Sequence, residues 1–304
     1  MQIAILGAGG VGGYYAGVLA RAGQDVAVLA RGEHLAAIQS DGLEIHEPDA
    51  EPWRVSVSAY ESAVDMPDAD VAFVAVKSYS LDAIAAAAVD LAGRGAVVVP
   101  LLNGVDIVDR LADAGVPRAS LLAGLTYVSA AKTGPGVIEL RSDFRRVTVG
   151  EPDGGMSERA EHVAAAFAGT PVDARATANI QVELWRKFVF IAAISAACGL
   201  ARTAIGPVRD ATRGRLLLER AVREVVAVAR ARGVALPDGE AQEVIQRLDN
   251  LAPGLSPSFL LDVQAGGPAE LDILSGAVSR LGAEAGVETP VHDTATAALS
   301  AALG

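Results

Sequence analysis

The sequence begins with a short apolar run that leads directly into a glycine-rich stretch. Residues 3–6 (IAIL) are apolar enough for a buried parallel strand, and Gly7, Gly9 and Gly12 follow in the spacing G-x-G-x-x-G. A helix-like segment comes next, and the run QDVAVLA predicts a second strand. A glycine pattern between a strand and a helix, inside a unit of about thirty residues, is typical of dinucleotide-binding proteins.

Each glycine of this pattern has a physical task in such a fold. Gly7 permits a tight turn, Gly9 lets the backbone approach a pyrophosphate, and Gly12 allows the helix to pack closely on the strand. The helix N-terminus then meets the anion with free N–H groups and the positive end of its dipole. An ordinary glycine-rich turn is the alternative, and the strand–turn–helix context favours a dinucleotide site.

The end of the second strand indicates which dinucleotide binds. NAD-dependent enzymes tend to carry an acidic residue there for the ribose 2′-hydroxyl. This sequence has Arg31 instead, and a guanidinium group fits the 2′-phosphate of NADP. Glu33 lies nearby and weighs against this choice, and a solvated arginine at a strand end is the other interpretation. We therefore expect NADP(H).

Two further polar residues follow predicted strands of the same sheet. The run DVAFVAVKSYS predicts a strand that ends at Lys77, and GAVVVPLLNGVD predicts one that ends at Asn103. Ligands of open α/β sheets bind beyond the carboxyl ends of the strands, so both residues are candidates for binding. A solvated lysine and an ordinary Asn-Gly turn are the alternatives. Further strand-like runs predict that the sheet extends to about residue 150.

Helical patterns replace the strands in the second half of the chain. The predicted fold is α/β, with a Rossmann-type dinucleotide-binding domain and a parallel-core sheet over residues 1–172. An all-helical domain for substrate binding and dimerisation follows over residues 173–304, with a cleft between the two. The predicted helices lie near residues 178–200, 208–232, 239–251, 257–265 and 269–286, with a last one from about 290.

The charge balance of the chain limits its partners. The 304 residues carry a net charge of −12, and an acidic protein repels nucleic acid and anionic membrane surfaces. We therefore expect a small-molecule substrate, and neither nucleic acid nor membrane as a partner. The apolar faces of the helical domain allow a homodimer.

The cysteine count and the apolar runs indicate the cellular compartment, and the histidine spacing indicates whether a metal site is present. The single cysteine, Cys198, excludes an internal disulfide, fits a reducing compartment and is interpreted as a core residue. No apolar run reaches the roughly 20 residues that a membrane-spanning helix needs, which predicts a cytoplasmic protein. The four histidines are scattered, so no metal site is predicted.

A lysine precedes the longest apolar run of the second half. Lys187 lies in ELWRKFVF, and on a helix it shares a face with Glu183, Ile191 and Ser195. A solvated Glu183–Lys187 pair, worth about 0.3–0.5 kcal/mol, is one interpretation. The apolar residues further along that face favour a buried ammonium group, which is costly unless it is paired or catalytic.

Two more motifs follow Lys187 in the chain, namely SPSF with Ser258 and AELD with Glu270. Together with the motifs described above, they resemble the 2-dehydropantoate 2-reductase (ketopantoate reductase) family. The resemblance implies an NADPH-binding Rossmann domain and a helical domain similar to that of 6-phosphogluconate dehydrogenases. It also implies reduction of a 2-oxo acid to a 2-hydroxy acid, expected to be 2-dehydropantoate to (R)-pantoate in pantothenate biosynthesis. The matching stretches, in order, are GAGGVG, Arg31, VKSYS with Lys77, LNG with Asn103, ELWRKF with Lys187, SPSF with Ser258 and AELD with Glu270.

The resemblance implies catalytic roles for Lys187 and Glu270. Hydride from the nicotinamide attacks the C2 carbonyl, and the ammonium group of Lys187 stabilises and protonates the carbonyl oxygen as the general acid. Partial desolvation would lower the pKa of Lys187 toward the working range. Glu270 would orient Lys187 or hold the cofactor, and a solvated helix acid is the alternative.

The resemblance also implies a set of binding residues. Asn103 would bind cofactor and substrate, and the backbone at Ala130 would touch the cofactor. Ser258 would bind the substrate carboxylate, although a serine at a helix start after Pro257 is the alternative. The residues expected at the cofactor are Gly7, Gly9, Gly10, Gly12, Arg31, Lys77, Asn103, Ala130 and Glu270, and those expected at the substrate are Asn103, Lys187, Ile191, Ser195 and Ser258.

The sequence departs from the family pattern next to Lys187. The family has asparagines one and two turns after the catalytic lysine, where this chain has Ile191 and Ser195. Isoleucine forms no side-chain hydrogen bond, so the substrate pocket is altered. Three alternatives stay open, namely a bulkier or more apolar 2-oxo acid, another dehydrogenase of this architecture and a non-catalytic NADP sensor. Arg202 would bind a carboxylate or interact with the helix dipole.

Overall fold

The computed structural model describes residues 1–303 as two compact units. The first unit contains Met1–Leu102 and Ile107–Ile180, and the second contains Asn103–Asp106 together with the chain from Gln181 onward. The main division falls after Ile180, later than the predicted boundary at 172/173. The reason is that a strand beginning at Asp173 pairs with Arg146–Gly150 and completes a sheet of the first unit.

The first unit consists of strands and short helices. Its strands are β1 (Gln2–Leu6), β2 (Asp25–Leu29), β3 (Leu43–His46), β4 (Trp53–Val55), β5 (Ser58–Tyr60), β6 (Val71–Val74), β7 (Val97–Pro100), β8 (Ala123–Tyr127), β9 (Ala130–Gly134), β10 (Val137–Leu140), β11 (Arg146–Gly150) and β12 (Asp173–Ala176). Its α-helices are α1 (Gly10–Arg21), α2 (Gly32–Asp41), α3 (Leu81–Gly93), α4 (Ile107–Asp113) and α5 (Glu158–Ala165). Short 3₁₀ turns lie at Ala63–Asp65, Ser78–Ser80 and Arg118–Ser120.

A five-stranded parallel sheet forms the centre of this unit, in the order β5-β2-β1-β6-β7. Four of the five residues of β1 are buried, as expected for a strand covered on both faces. Its last residue, Leu6, pairs with Leu29 of β2 and with Val74 of β6, so the carboxyl ends of these strands are level. The predicted site residues that follow these three ends are Gly7, Arg31 and Lys77.

The strands after β7 do not extend the central sheet. The predicted extension of one sheet to residue 150 is wrong, because β8 pairs with β11 and β12 in a separate three-stranded sheet. A third sheet has the order β4-β3-β10-β9. An isolated bridge between Val98 and Leu121 joins the start of this region to β7. Local apolar patterns predict strands, but they do not specify which strands pair across long stretches of sequence.

The second unit is helical, so the predicted fold class is confirmed as an N-terminal α/β domain followed by a helical domain. Its helices are α6 (Ile180–Ala201), α7 (Ile205–Asp210), α8 (Thr212–Ala231), α9 (Glu240–Asp249), α10 (Ser258–Gln264), α11 (Ser275–Ala285) and α12 (Pro290–Leu303). Helix α8 packs against α7, α9, α11 and α12.

Two predicted helices have different bounds in the structure. The segment 208–232 is divided by the extended residue Ala211, and a Cβ on Gly214 would lie 2.3 Å from the carbonyl oxygen of Val208. The two helices therefore pack too closely for any side chain at position 214. The predicted helix 269–286 begins only at Ser275, so Glu270 lies in an irregular segment before α11.

Helix α6 is long and apolar. By length and composition it resembles a membrane-spanning helix, with a mean hydropathy of 1.5. This differs from the sequence prediction, in which no apolar run is long enough to span a membrane. About two thirds of its most apolar window (67%) is buried inside the protein, as in the core helix of a globular domain. Burial within the protein explains the apolar face that follows Lys187.

Candidate active site

The ammonium group of Lys187 is buried on the second turn of α6. The side chain is 8% exposed, and Nζ donates a hydrogen bond to Oδ1 of Asn103 at 3.0 Å. Burial favours the neutral amine and lowers the pKa of Lys187 to about 8, while the charge of Glu270 acts in the opposite direction. The interpretation of a solvated Glu183–Lys187 pair is therefore wrong, because the ammonium group is inside the protein.

The side-chain amide of Asn103 bridges Lys187 and Glu270. Its Nδ2 donates to Oε2 of Glu270 at 3.3 Å, and its Oδ1 accepts from Lys187. Only this orientation of the amide satisfies both a cation and an anion. Glu270 is buried and lies outside any helix, so the interpretation of a solvated helix acid is also wrong. The structure thus brings three predicted site residues of the second unit into one hydrogen-bonded group.

An arginine holds the two loops that carry Asn103 and Glu270. Arg280 of α11 donates a hydrogen bond to Asp106 and forms an ion pair with it, and its other terminal nitrogen is 3.5 Å from Asp272. Asp106 follows Asn103 in its loop, and Asp272 follows Glu270. Sequence reasoning missed Arg280, because an arginine on an amphipathic helix carries no local signal of a distant partner.

Ile191 and Ser195, which replace the asparagines of the family, follow Lys187 on α6. Ile191 is half-buried one turn after Lys187, and Ser195 is buried one turn further. Cys198 is fully buried, and burial raises the pKa of its thiol to about 12, which confirms its interpretation as a core residue. The face of α6 that continues from Lys187 is therefore apolar at Ile191 and closely packed beyond it.

Ser258 and Arg202 are both exposed. Ser258 is the first residue of α10, and Arg202 follows α6 in a left-handed conformation with φ 53°. Within residues 1–303, no side-chain hydrogen bond or ion pair is found for either of them. The structure therefore does not connect them to the group formed by Lys187, Asn103 and Glu270.

The glycine-rich turn of the first unit has the shape that a dinucleotide requires. Gly7 has φ +106°, and a Cβ on Gly12 would lie 2.0 Å from the carbonyl oxygen of Gly7, so neither position accepts a side chain. A Cβ on Gly10 would lie 2.1 Å from the carbonyl oxygen of Ala130, which places the backbone at Ala130 against the first turn of α1. The space beside Gly9 is open, because a Cβ there would meet no atom within 4 Å.

The predicted cationic residues of this unit lie at element starts. Arg31 is exposed and is the residue before α2, and Glu33 is exposed in the first turn of that helix. Lys77 is half-buried and precedes the 3₁₀ turn Ser78–Ser80. Within residues 1–303, no group of three or more His, Cys, Asp or Glu residues lies close enough to hold a metal ion.

Family models match both halves of the chain. The model described as ketopantoate reductase PanE/ApbA matches residues 3–154, and its C-terminal counterpart matches residues 179–302. The chain belongs to the ketopantoate reductase family. It is thus an oxidoreductase of a family of 2-oxo acid reductases.

Individual relatives of this family are similar along their whole length. A 2-dehydropantoate 2-reductase from Halobacterium salinarum is 34% identical, over 97% of this chain and 96% of the relative. The crystal structure of a PanE/ApbA family ketopantoate reductase from Ralstonia eutropha has a TM-score of 0.89 at 29% identity, covering 100% of this chain and 98% of that one. A D-mandelate dehydrogenase, solved with NADH and anilino(oxo)acetate, has a TM-score of 0.86 at 23% identity, covering 100% and 98%, and at that identity it shows the fold alone.

Proposed function

We propose that this ketopantoate reductase family protein reduces a 2-oxo acid to a 2-hydroxy acid with NADPH, and that Lys187 is the general acid. The observation that carries the proposal is the buried ammonium group of Lys187, hydrogen-bonded to Asn103 and with a pKa lowered to about 8. A lysine with such a pKa is largely protonated at neutral pH and gives up its proton readily.

The chain's own residues supply charge stabilisation and a proton. NADPH, when bound, provides the hydride that reduces the C2 carbonyl of the substrate. Lys187 stabilises the negative charge that develops on the carbonyl oxygen and then protonates that oxygen. Asn103 orients the ammonium group through its Oδ1, and the negative charge of Glu270 keeps Lys187 protonated near neutral pH.

The first unit fits a dinucleotide cofactor. The closed packing at Gly7 and Gly12 and the open space at Gly9 leave room for a diphosphate at the start of α1. Arg31, exposed after β2, would bind the 2′-phosphate of NADP(H). The other cofactor contacts that we propose are Gly10, Lys77, Asn103, the backbone at Ala130, and Glu270.

The substrate proposed first is 2-dehydropantoate, reduced to (R)-pantoate in pantothenate biosynthesis. The family membership and the 2-dehydropantoate 2-reductase relative support this substrate. Asn103 and Ser195 would bind its polar groups near Lys187, and Ser258 would bind its carboxylate.

A second candidate is a 2-oxo acid with a bulkier or more apolar side chain. Half-buried Ile191, one turn after Lys187, favours it, because an apolar side chain cannot bond the hydroxyl group of 2-dehydropantoate. The D-mandelate dehydrogenase of similar fold was solved with anilino(oxo)acetate, an oxo acid that carries an aromatic group.

We also propose a function for each of the two domains. Cofactor binding is assigned to residues 1–172, and substrate binding and homodimer formation to residues 173–304. The protein is proposed to act in the cytoplasm, without a nucleic acid or membrane partner. Light scattering on the purified protein would measure its oligomeric state.

The decisive experiment follows NADPH oxidation by the purified protein. 2-Dehydropantoate and a series of aromatic and branched 2-oxo acids are compared, with Lys187→Ala as the control for background. Turnover of 2-dehydropantoate above the others would support the first substrate, and turnover of a bulkier acid would support the second. Tight NADPH binding without turnover of any of these acids would contradict both proposed substrates and leave a different substrate or a cofactor sensor.

A further inference from the structure

His34 connects the glycine-rich turn to a distant hairpin of the first unit. His34 lies on α2, and its side chain is buried. Its Nε2 is 2.7 Å from the carbonyl oxygen of Ala8, and its Nδ1 is 2.9 Å from the backbone nitrogen of Gly136. Ala8 lies between Gly7 and Gly9, whereas Gly136 lies in the turn between β9 and β10.

These two contacts determine which ring nitrogen carries the proton. The backbone N–H of Gly136 can only donate, so Nδ1 of His34 accepts and is unprotonated. The proton of the neutral ring is therefore on Nε2, which donates to Ala8. Burial lowers the pKa of His34, the bond to Ala8 opposes this effect, and the charge of Lys132 on β9 lowers the pKa further.

The bond to Ala8 also fixes the neighbouring N–H group. The carbonyl of Ala8 and the N–H of Gly9 belong to one planar peptide unit, which is trans here, so they point in opposite directions. A hydrogen bond that holds the carbonyl oxygen toward His34 therefore directs the N–H of Gly9 away from it. Gly9 is the position beside which the space is open.

The other end of this connection is firmly placed. Gly136 has φ +72°, and a Cβ there would lie 3.2 Å from the Cβ of Ala37 on α2. Its carbonyl oxygen accepts a hydrogen bond from the backbone nitrogen of Glu44 at 2.8 Å. The hairpin turn is thus held by α2 and β3, and it gives His34 a fixed support.

We propose that His34 is a positioning residue for the cofactor. Through the carbonyl of Ala8 it sets the direction of the Gly9 N–H before the diphosphate of the dinucleotide arrives, so binding does not have to order the turn. The proposal rests on the proposed function in one respect, namely that this turn binds NADPH.

Two near-isosteric variants separate the two hydrogen bonds of His34. His34→Gln keeps an N–H donor near the position of Nε2 and so can hold Ala8, whereas His34→Asn keeps an acceptor near Nδ1 and so can hold only Gly136. NADPH Kd is measured by titration of nicotinamide fluorescence, together with Tm for each variant. We expect His34→Gln to bind within about threefold of the natural protein and His34→Asn to bind about tenfold more weakly.

A second buried histidine provides the matched control. His292 in the second unit is fully buried, with Nε2 3.2 Å from the carbonyl oxygen of Ala221 and Nδ1 3.3 Å from Oγ of Ser275. We expect His292→Asn to lower Tm while NADPH Kd stays unchanged. The proposal would be overturned if His34→Gln and His34→Asn weakened NADPH binding equally. It would also be overturned if His292→Asn lost NADPH affinity in step with its lower Tm.

The natural protein offers a test that does not depend on the folding of a variant. Hydrogen exchange is measured with and without NADPH. Slower exchange in residues 7–13 together with the hairpin turn at residues 134–137 is expected, because His34 joins the two. Slower exchange in residues 7–13 alone would overturn the proposal. A natural protein that binds no NADPH would instead contradict the proposed cofactor.

Discussion

The amide of Asn103 lies between the ammonium group of Lys187 and the carboxylate of Glu270. Lys187 and Asn103 are 84 positions apart in the chain, and their side chains meet at 3.0 Å. An amide accepts at its oxygen and donates at its nitrogen, so one side chain can serve a cation and an anion together. The amide oxygen gives the buried lysine a hydrogen-bond partner, and the pKa of Lys187 is lowered to about 8.

Replacement of Lys187 tests its role as the acid. Lys187→Met keeps the length of the side chain and removes the proton, and we expect kcat to fall by about 10²- to 10⁴-fold with NADPH Kd unchanged. Lys187→Arg keeps the positive charge but hardly gives up a proton, so it should recover little of the loss. Steady-state rates and cofactor titration measure both effects. Near-normal turnover in Lys187→Met would contradict the assignment.

The pH dependence of the reaction follows from the same pKa. Reduction requires protonated Lys187, so kcat should be highest below pH about 8 and fall as the pH rises through that value. Glu270→Gln removes a negative charge that raises the pKa of Lys187, and the midpoint should move to lower pH. Asn103→Asp adds a negative charge beside the ammonium group, and the midpoint should move to higher pH. Profiles of kcat against pH would show both shifts, and midpoints that stay in place would assign the titration to another group.

The local elements of the fold were predictable from the sequence. The glycine spacing after an apolar run specified β1, the turn and the start of α1, because only glycine fits the contacts at Gly7 and Gly12. Lys187 was also recognisable, since an ammonium group beside a long apolar helix face needs a partner. These features depend on residues close in sequence, so a local pattern is enough to reveal them.

The pairing of distant segments was not predictable. β8 turns away from β7 to join β11, and no local pattern distinguishes that choice from continuation of the central sheet. The segment around Glu270 has helical character in the sequence, yet it forms a turn closed by the hydrogen bond from Leu274 to Leu271. The sequence shows His34 only as one of four scattered histidines, because its two backbone partners are far from it in sequence.

Arg280 is expected to keep Asn103 and Glu270 in place. Arg280→Gln removes the ion pairs to Asp106 and Asp272, and a small displacement of the two loops should lower kcat about tenfold. Arg232→Gln is the control, since Arg232 also forms an ion pair with a residue of α11, Glu284, at 2.9 Å. Equal kcat values in the two variants would show that Arg280 does not position Asn103 and Glu270 for the reaction.

Arg31 is expected to select NADPH over NADH. Removal of a charge-assisted contact with the 2′-phosphate in Arg31→Ala should weaken NADPH binding by about 10- to 100-fold and leave NADH binding unchanged. Arg118→Ala removes an exposed positive charge elsewhere in the same unit, where Arg118 pairs with Asp109, and controls for net charge. Titration of both dinucleotides gives the ratio of their Kd values. A ratio that is the same in Arg31→Ala and in the natural protein would assign cofactor choice to other residues.

Ile191 is expected to set the preference between polar and apolar 2-oxo acids. It is half-buried, so Ile191→Asn can be accommodated without burying an unpaired amide, and the new side chain can bond a substrate hydroxyl group. We expect the ratio of kcat/KM for 2-dehydropantoate to that for an aromatic 2-oxo acid to rise at least about tenfold. Ile191→Val keeps an apolar side chain, and its ratio should remain within about threefold of that of the natural protein. If both variants changed the ratio equally, side-chain volume at this position, rather than hydrogen bonding, would determine which acid is reduced.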